Sequence, residues 1–283
     1  MSEYCFLPWY PRGIQKFLDA SGSNYVALVD DQTVLKFPIV PPHEDASAYS
    51  ATGWKYRRRM REVSLRGLQI EEKILKRIGR HERIVSVKGR HEDGLLLEYM
   101  PNGSVQRYLV SHPDTSLGQR LKWALQAAEG LTFVHSNQVV HCDITTGNLL
   151  LDVAFNIKIG DFEGMLLHPD GTVALDGGAR YNTLSSMPRD DEDHCDHQTD
   201  RFALGTAIYS IMTGQRLFLD LDPVEEDDEV QHRFRAGEFP MVEDEKGGQV
   251  TRKCWMGEYE SSAQVVDDIQ SVLSASKSNG GGE

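Results

Sequence analysis

Two patterns divide the chain. Up to about residue 100 the apolar positions fall mainly in short β-rich runs, and beyond it mainly at helical spacing. Tyr25-Val-Ala-Leu-Val-Asp-Asp-Gln-Thr-Val-Leu-Lys-Phe37 is two such runs broken by Asp-Asp-Gln, which predicts a hairpin. Residues 40–60, VPPHEDASAYSATGWKYRRRM, have no period and many breakers, so they read as a surface loop. From Arg61 to about Ile78 a helix is expected, with Leu65, Leu68, Leu75 and Ile78 on one stripe. Short strands are expected over 84–88 and 95–99, and Met100-Pro-Asn-Gly-Ser104 has the composition of a turn or linker.

Past that linker, Leu117, Leu121, Ala124, Leu125, Ala128, Leu131 and Val134 form one apolar stripe on a long helix. Strand-like runs return at 149–151 and 157–159, on either side of a turn. Later helices are expected over 201–212 and 263–274, and the closing SKSNGGGE reads as a flexible tail. There is no internal repeat. The pattern predicts an α+β chain: a small sheet-rich lobe over 1–100, a larger helical lobe over 101–275, and a tail over 276–283.

Composition narrows the function classes. The 283 residues carry 30 Lys+Arg against 43 Asp+Glu, a net charge of −13. Phosphate-backbone binding depends on Lys and Arg releasing counterions, so nucleic acid is not expected as the main partner. A local basic pocket for a small phosphate ligand is not excluded by that balance. Hydrophobic residues at 40% and charged residues at 26% describe an ordinary globular chain rather than a disordered one. Cys5, Cys142, Cys195 and Cys254 are scattered without a CxxC pair, which fits a reducing compartment and not a disulfide scaffold. No apolar run approaches the roughly 20 residues of a membrane helix. The opening MSEYCFLPWYPRG is interrupted by Glu3, Pro8 and Pro11, unlike a secretory leader. The expectation is an intracellular protein, cytoplasmic or nuclear, with no membrane segment.

The strongest chemical signal is His141-Cys-Asp-Ile-Thr-Thr-Gly-Asn148, followed by the apolar Leu149-Leu-Leu151 and then by Ile159-Gly-Asp-Phe-Glu163. An acid, an Asn five residues on and a second acid after a short hairpin suit Mg²⁺ and proton transfer, since Mg²⁺ takes one or two carboxylates plus substrate phosphates. Singly, Asp143, Asn148 and Asp161 would be ordinary turn residues. In this order, flanked by apolar strands, they resemble the eukaryotic protein kinase family, with its catalytic loop H-R-D-L-x-x-x-N and its D-F-G metal motif.

The resemblance continues along most of the chain. It implies a two-lobed protein-kinase-like fold, ATP and Mg²⁺ as cofactors, and a protein substrate, by default at Ser or Thr. Asp143 is then the catalytic residue, and Asn148 and Asp161 the metal ligands. Val34-Leu-Lys-Phe37 resembles the strand carrying the ATP-binding lysine, so Lys36 is the candidate. Its partner is a Glu on the next helix. Periodicity leaves both Glu71 and Glu72 open, and the family alignment of Glu-Lys-Ile-Leu75 favours Glu71. Leu97-Glu-Tyr-Met-Pro-Asn-Gly103 resembles the adenine-binding hinge, with Leu97 behind the base and Glu98 and Met100 contributing backbone groups. Val26 closes the phosphate-loop motif and completes the ATP-binding set. Met187-Pro-Arg189 stands where the family has A-P-E, Asp200-Arg-Phe-Ala-Leu-Gly205 resembles the start of its buried central helix, and Lys253-Cys-Trp255 resembles its C-terminal motif.

The departures are specific. Counted back from Val26, the glycine positions of G-x-G-x-x-G-x-V fall on Asp19, Ser21 and Asn24, with Gly22 among them. Glycine there lets backbone approach phosphates closely, so weak ATP binding is expected. Cys142 replaces the arginine before the catalytic acid, which removes the usual clamp for a phosphorylated activation loop. Thr145 replaces the lysine two residues after Asp143, Glu163 the third residue of D-F-G, and Arg189 the Glu of A-P-E. No Arg follows Trp255 at the pairing distance, so both halves of that ion pair are missing together.

Alternatives from other classes follow from these departures. One is a pseudokinase, a nucleotide-binding scaffold without turnover. Another is the small atypical kinase of the tRNA-modifying KEOPS complex, whose catalytic loop also carries a Thr-Thr pair; the long stretch from Asp161 to Pro188 weighs against it. His194-Cys-Asp-His197 lacks the second ligand pair of a zinc site and reads as a solvated acidic loop. The basic run Lys55-Tyr-Arg-Arg-Arg-Met-Arg61 reads as a solvated approach to a helix. His141 reads as a structural histidine bonded to backbone.

Overall fold

The computed structural model describes residues 9–20, 23–178, 182–191 and 193–279. Two compact units emerge. One takes the residues up to His81 together with Val85–Met100, and the other takes Glu82–Ile84 and the chain from Pro101 onward.

The first unit is built on a five-stranded antiparallel sheet. The hairpin read from the sequence is β2 (Asn24–Asp30) against β3 (Thr33–Pro38), and β1 (Lys16–Ala20) joins its outer edge. The single helix α1 (Ala51–Ile78) follows, then β4 (Val87–His91) and β5 (Gly94–Glu98), giving the order β1-β2-β3-β5-β4. Strand period two sorts the side chains. Val26 lies opposite Lys36, which lies opposite Leu95, while Leu28, Val34 and Leu97 line up across the same face. The other face gathers Tyr25, Ala27, Leu35 and Phe37 into a core cluster capped by Trp9, Ile14 and Phe17. Trp9 meets Phe37 edge-on at 5.3 Å, and its indole N–H donates to the Pro38 carbonyl at 2.8 Å.

The loop expected over 40–60 ends ten residues early, because α1 starts at Ala51 and its N-cap, Ser50, accepts a hydrogen bond from the Gly53 N–H. Its first turns hide their periodicity. The buried positions there are Gly53, Arg57 and Ser64, at helical spacing but not hydrophobic. Arg57 is buried because its Nε donates to the Glu44 carboxylate at 2.9 Å and its guanidinium lies over the Tyr49 ring. The basic run is therefore helix, with Arg58 and Arg59 on its solvent side.

The second unit is mainly helical. Ser104 caps α2 (Val105–Ser111), and α3 (Leu117–Ser136) carries the stripe read from the sequence. Short strands β6 (Val139–Val140), β7 (Leu149–Leu151) and β8 (Ile157–Ile159) frame the catalytic-loop motif, β7 and β8 pairing as a hairpin. Strands β9 (Met165–Leu167) and β10 (Val173–Asp176) form a second hairpin, and β9 also pairs with β6. Then come α4 (His197–Thr213), α5 (Asp227–Ala236), α6 (Gly248–Trp255) and α7 (Ser262–Asn279). Every residue of α4 from Thr199 to Tyr209 is buried, as expected for a central helix. Helix α7 runs to Asn279, so the segment expected to be tail from 276 is helical for its first residues. Ile84, expected in a strand with 85–88, instead bridges in parallel to Ile159. Together the units give the α+β division of a β-sheet lobe and a helical lobe that the sequence predicts.

Candidate active site

In the first unit the Lys36 ammonium meets the Glu71 carboxylate at 2.8 Å, with only 7% and 1% of the two side chains exposed. Glu72, also buried, turns away to Arg90 and to Lys76 at 2.6 Å. That settles the choice periodicity left open: Glu71 is the partner of Lys36. The hydrogen bond from Arg90 holds Glu72 below the ordinary carboxylate range, against the effect of burial. Val26 and Leu97 stand on the Lys36 face of the sheet, and Leu97 is buried. The Glu98 N–H donates to Ser86 O at 2.9 Å and its carboxylate accepts from the Ser86 N–H at 3.1 Å, which fixes the end of β5; Met100 follows, buried.

The β1–β2 turn is where the sequence lacks glycine at the three motif positions. Ser21 and Gly22 lie outside the described residues. Asp19 is exposed and its Oδ1 accepts from the Ala20 N–H at 2.8 Å. Asn24 is 1% exposed and accepts from the Ser64 hydroxyl on α1 at 2.5 Å. The side chain at the third glycine position thus ties the hairpin to the helix.

In the second unit the loop between β6 and β7 is held from three directions. Asn148 Nδ2 donates to the Asp143 carbonyl at 2.8 Å and to its carboxylate at 2.9 Å. His141 accepts the Asp143 N–H at Nδ1 and donates from Nε2 to Gly160 O at 2.9 Å, which is the structural role its motif implies. Asp200, buried at the start of α4, accepts the His141 N–H at 2.7 Å and the Cys142 N–H at 2.9 Å. Burial alone would raise Asp200, but His135 and these donors outweigh it and keep the carboxyl below its ordinary value.

Behind Asp200 runs a line of partners: His135 Nε2 at 3.0 Å, and Ser262 Oγ at 2.9 Å from His135 Nδ1. Ser, His and Asp in a line suggest a nucleophile, but Ser262 is 2% exposed and no substrate can reach it. The line braces Asp200, and through it the loop. Sequence reading missed it because Ser262 and His135 are 127 residues apart.

Asp161 sits half-buried in the left-handed region at φ 63°, and Cys142 at φ 66°. Non-glycine residues there cost about 1–3 kcal/mol and persist where surroundings over-determine them. Phe162 is fully buried, edge-on to His141. Gly164 explains the shifted glycine of the motif: a Cβ on it would stand 2.2 Å from Val140 O. The donor set fits Mg²⁺. Asn148 spends its amide nitrogen on Asp143, and its carbonyl oxygen, like the Asp161 carboxylate, is the kind of oxygen ligand that Mg²⁺ takes.

His194 and His197 do not converge on a metal geometry. His194 is exposed beside Asp196, while His197 opens α4 and stacks on His135 at 4.1 Å. Arg189, in the place of the motif's Glu, donates to Cys195 Sγ at 3.6 Å. Met187 packs against the cluster of Phe202, Tyr209, Phe234 and Trp255. Arg180 and Tyr181 lie outside the described residues.

Residues 55–270 match the sequence profile of the family described as protein tyrosine and serine/threonine kinase. A probable serine/threonine-protein kinase PBL28 of Arabidopsis thaliana is 33% identical over 167 residues, 53% of this chain and 44% of that protein. Mitogen-activated protein kinase kinase kinase 3 of Mus musculus is 39% identical over 108 residues, 36% of this chain and 17% of that protein. Serine/threonine-protein kinase STY17 of Arabidopsis thaliana is 24% identical over 196 residues, 68% of this chain and 34% of that protein. The chain spans less than half the length of these curated relatives.

Proposed function

The chain belongs to the protein tyrosine and serine/threonine kinase family, and on that premise we propose that it transfers the γ-phosphate of ATP to a Ser or Thr hydroxyl of a protein substrate. The observation that carries this reading is the double hydrogen bond from Asn148 to Asp143 on a loop anchored by Asp200. Asp143 orients the substrate hydroxyl and accepts its proton, a contribution of about 10²–10⁴ in rate. Lys36, fixed by Glu71, meets the α- and β-phosphates. Val26 and Leu97 give apolar contact to adenine, and the backbone of Glu98 and Met100 gives it hydrogen bonds. Asn148 and Asp161 hold Mg²⁺, which when bound neutralises phosphate charge. Serine and threonine are favoured over tyrosine because the relatives bear serine/threonine-kinase names. An intracellular setting, cytoplasmic or nuclear, belongs to the same proposal.

A second reading, a nucleotide-binding scaffold without turnover, is favoured by Asn24, whose side chain bonds to Ser64 where the phosphate loop has glycine. One experiment separates the two: radiolabelled γ-phosphate transfer to a mixed Ser/Thr peptide pool, with Asp143→Asn as control, alongside melting in Mg²⁺-ATP. Transfer that disappears in D143N supports the kinase. A melting shift with label equal in both proteins supports the scaffold. Neither transfer nor shift overturns both.

A further inference from the structure

Cys142 and Cys195 are 53 residues apart in sequence and meet in the fold. Cys142 is buried with Val140 and Met165, and Cys195, half-buried before α4, packs against that cluster. The Cys142 thiol donates to the Val140 carbonyl at 3.6 Å, and Cys195 packs against the same side chains. They line one small pocket with Asp143, Arg189 and Asp200. Two buried cysteines can be mere apolar filler. Here, however, a guanidinium is directed at one of the sulfurs, Arg189 Nη1 donating to Cys195 Sγ at 3.6 Å.

The geometry makes the pair unequal. The neighbouring Cys195 sulfur, burial and the nearby Asp200 charge all push the Cys142 thiol up, so it keeps its proton. The neighbouring Cys142 thiol, helped by Arg189, lowers Cys195 despite its burial. A partly exposed cysteine that accepts from a guanidinium and lies beside a second thiol is the arrangement in which cysteine oxidation is fast and reversible.

We infer that Cys142 and Cys195 form a peroxide-responsive thiol pair, with Cys195 as the attacking thiolate and Cys142 as the resolving thiol. The Cys195 thiolate attacks one oxygen of hydrogen peroxide. The O–O bond breaks, hydroxide leaves and is protonated to water, and Cys195 becomes a sulfenic acid. The Cys142 sulfur then attacks the Cys195 sulfur, the S–O bond breaks, and the oxygen departs as a second water with the Cys142 proton. Two thiols and one peroxide give one disulfide and two waters, and an external dithiol reverses the change.

The site matters because Cys142 is the covalent neighbour of Asp143. Closing a non-bonded sulfur contact to a bond of about 2.05 Å draws Cys142 toward the segment before α4. Its backbone N–H, given to Asp200 in the reduced protein, moves with it. Oxidation is therefore expected to slow turnover about tenfold or more, since small displacements at a reacting group are costly. This last step alone rests on the kinase reading.

The test is peptide mapping of the full chain after hydrogen peroxide treatment and thiol blocking, without reductant. The expected product is a Cys142–Cys195 linked peptide, lighter by two hydrogens and lost on adding dithiothreitol. In Cys142→Ser, Cys195 is expected to stop at the sulfenic acid, captured by a 1,3-diketone trap. Arg189→Gln is expected to slow formation of the link about fivefold or more. Absence of the link in the wild-type chain, or oxidation of Cys5 or Cys254 as fast as Cys195, overturns the inference. If mapping finds the link and Cys195→Ser does not protect turnover from peroxide, the thiol pair stands and its coupling to Asp143 fails.

Discussion

The two units hold their charged groups by different means. In the second, Asp143 is fixed by neighbours on its own loop, Asn148 and His141, with Asp200 of α4 anchoring the backbone before it. In the first, Lys36 meets Glu71, 35 residues away on a helix, inside an almost dry contact. A network of several hydrogen bonds distributes its cost, and losing one member leaves the others in place. A buried ion pair concentrates its cost in two charges, and losing either strands the other.

That contrast sets the largest expected effect. Glu71→Ala removes the carboxylate that meets the buried Lys36 ammonium, which is expected to cost about 3–5 kcal/mol of stability. Replacing both together, as Lys36→Met with Glu71→Leu, is expected to recover most of that loss while still abolishing phosphate binding. Urea midpoints of the single and double variants decide it. A double variant no more stable than Glu71→Ala would show that the pair contributes more than mutual neutralisation, and the contrast with the loop would weaken.

The matching change in the second unit is Asn148→Ala. Here stability should fall by only about 1 kcal/mol, the scale of one hydrogen bond, because His141 and Asp200 still hold the loop. Turnover should fall about a hundredfold, roughly 2.7 kcal/mol in barrier, since the Asp143 carboxylate loses the donor that aims it. Steady-state transfer assays together with urea midpoints measure both. A stability loss as large as that of Glu71→Ala would erase the distinction between the units.

The same contrast governs what the sequence could reveal. Asp143, Asn148 and Asp161 were legible because short-range spacing defines them, with apolar strands on either side as markers. Lys36 was legible through its hairpin, but the start of α1 was not, since Gly53, Arg57 and Ser64 bury a helical stripe without hydrophobicity. Arg57 can be buried only because Glu44, in the preceding loop, neutralises it. Strand β1 was missed because its residues are mostly exposed, so no alternation marks it. The motif that opens with Asp200 was legible, but its bonds to His141 and His135, the bond of His135 to Ser262, and the meeting of Cys142 with Cys195 left no local signal. Topology alone brings them together.

Acid sharpens the comparison next, through the second unit's stacked imidazoles. Burial, and then the neighbouring His135, lower His197 to about 4; Asp200 and Asp196 act the other way and Arg201 adds to the lowering. Unfolded, this ring takes a proton near pH 6.5. Between about pH 6.5 and 4 the unfolded chain therefore binds a proton that the folded chain refuses, and stability falls as pH falls. Above that window the ring has no effect. Because the ring is only partly buried, the expected loss is held to about 1 kcal/mol. Urea midpoints from pH 7 to 4.5 should show this slope in the wild type and a shallower one in His197→Phe, which keeps the stack on His135. Equal slopes would place the acid sensitivity elsewhere.

The smallest expected effect is no change at all, and it concerns the segment from Asp161 to Pro188. A loop organised by phosphorylation needs a cation beside the catalytic acid to hold the phosphate. Cys142 occupies that position and offers neither charge nor a fork of donors. Its described residues are instead held by pairing and burial. Strand β9 is hydrogen-bonded to β6 on one side and β10 on the other. Thr172 lies in the exposed turn between β9 and β10, bonded to Asp170 at 2.7 Å. Ser185 and Ser186 are buried, and the Ser186 hydroxyl accepts the Asn182 N–H at 2.9 Å, so neither is placed to receive a phosphate without local opening. Purified protein treated with phosphatase is therefore expected to transfer phosphate at its original rate, within about twofold. Thr172→Ala combined with Thr183→Ala should do the same. A tenfold fall with folding intact, about 1.4 kcal/mol in barrier height, would mean that a phosphate is held by some other cation and that the hydrogen bonds Asn148, His141 and Asp200 make in the loop do not suffice to set Asp143.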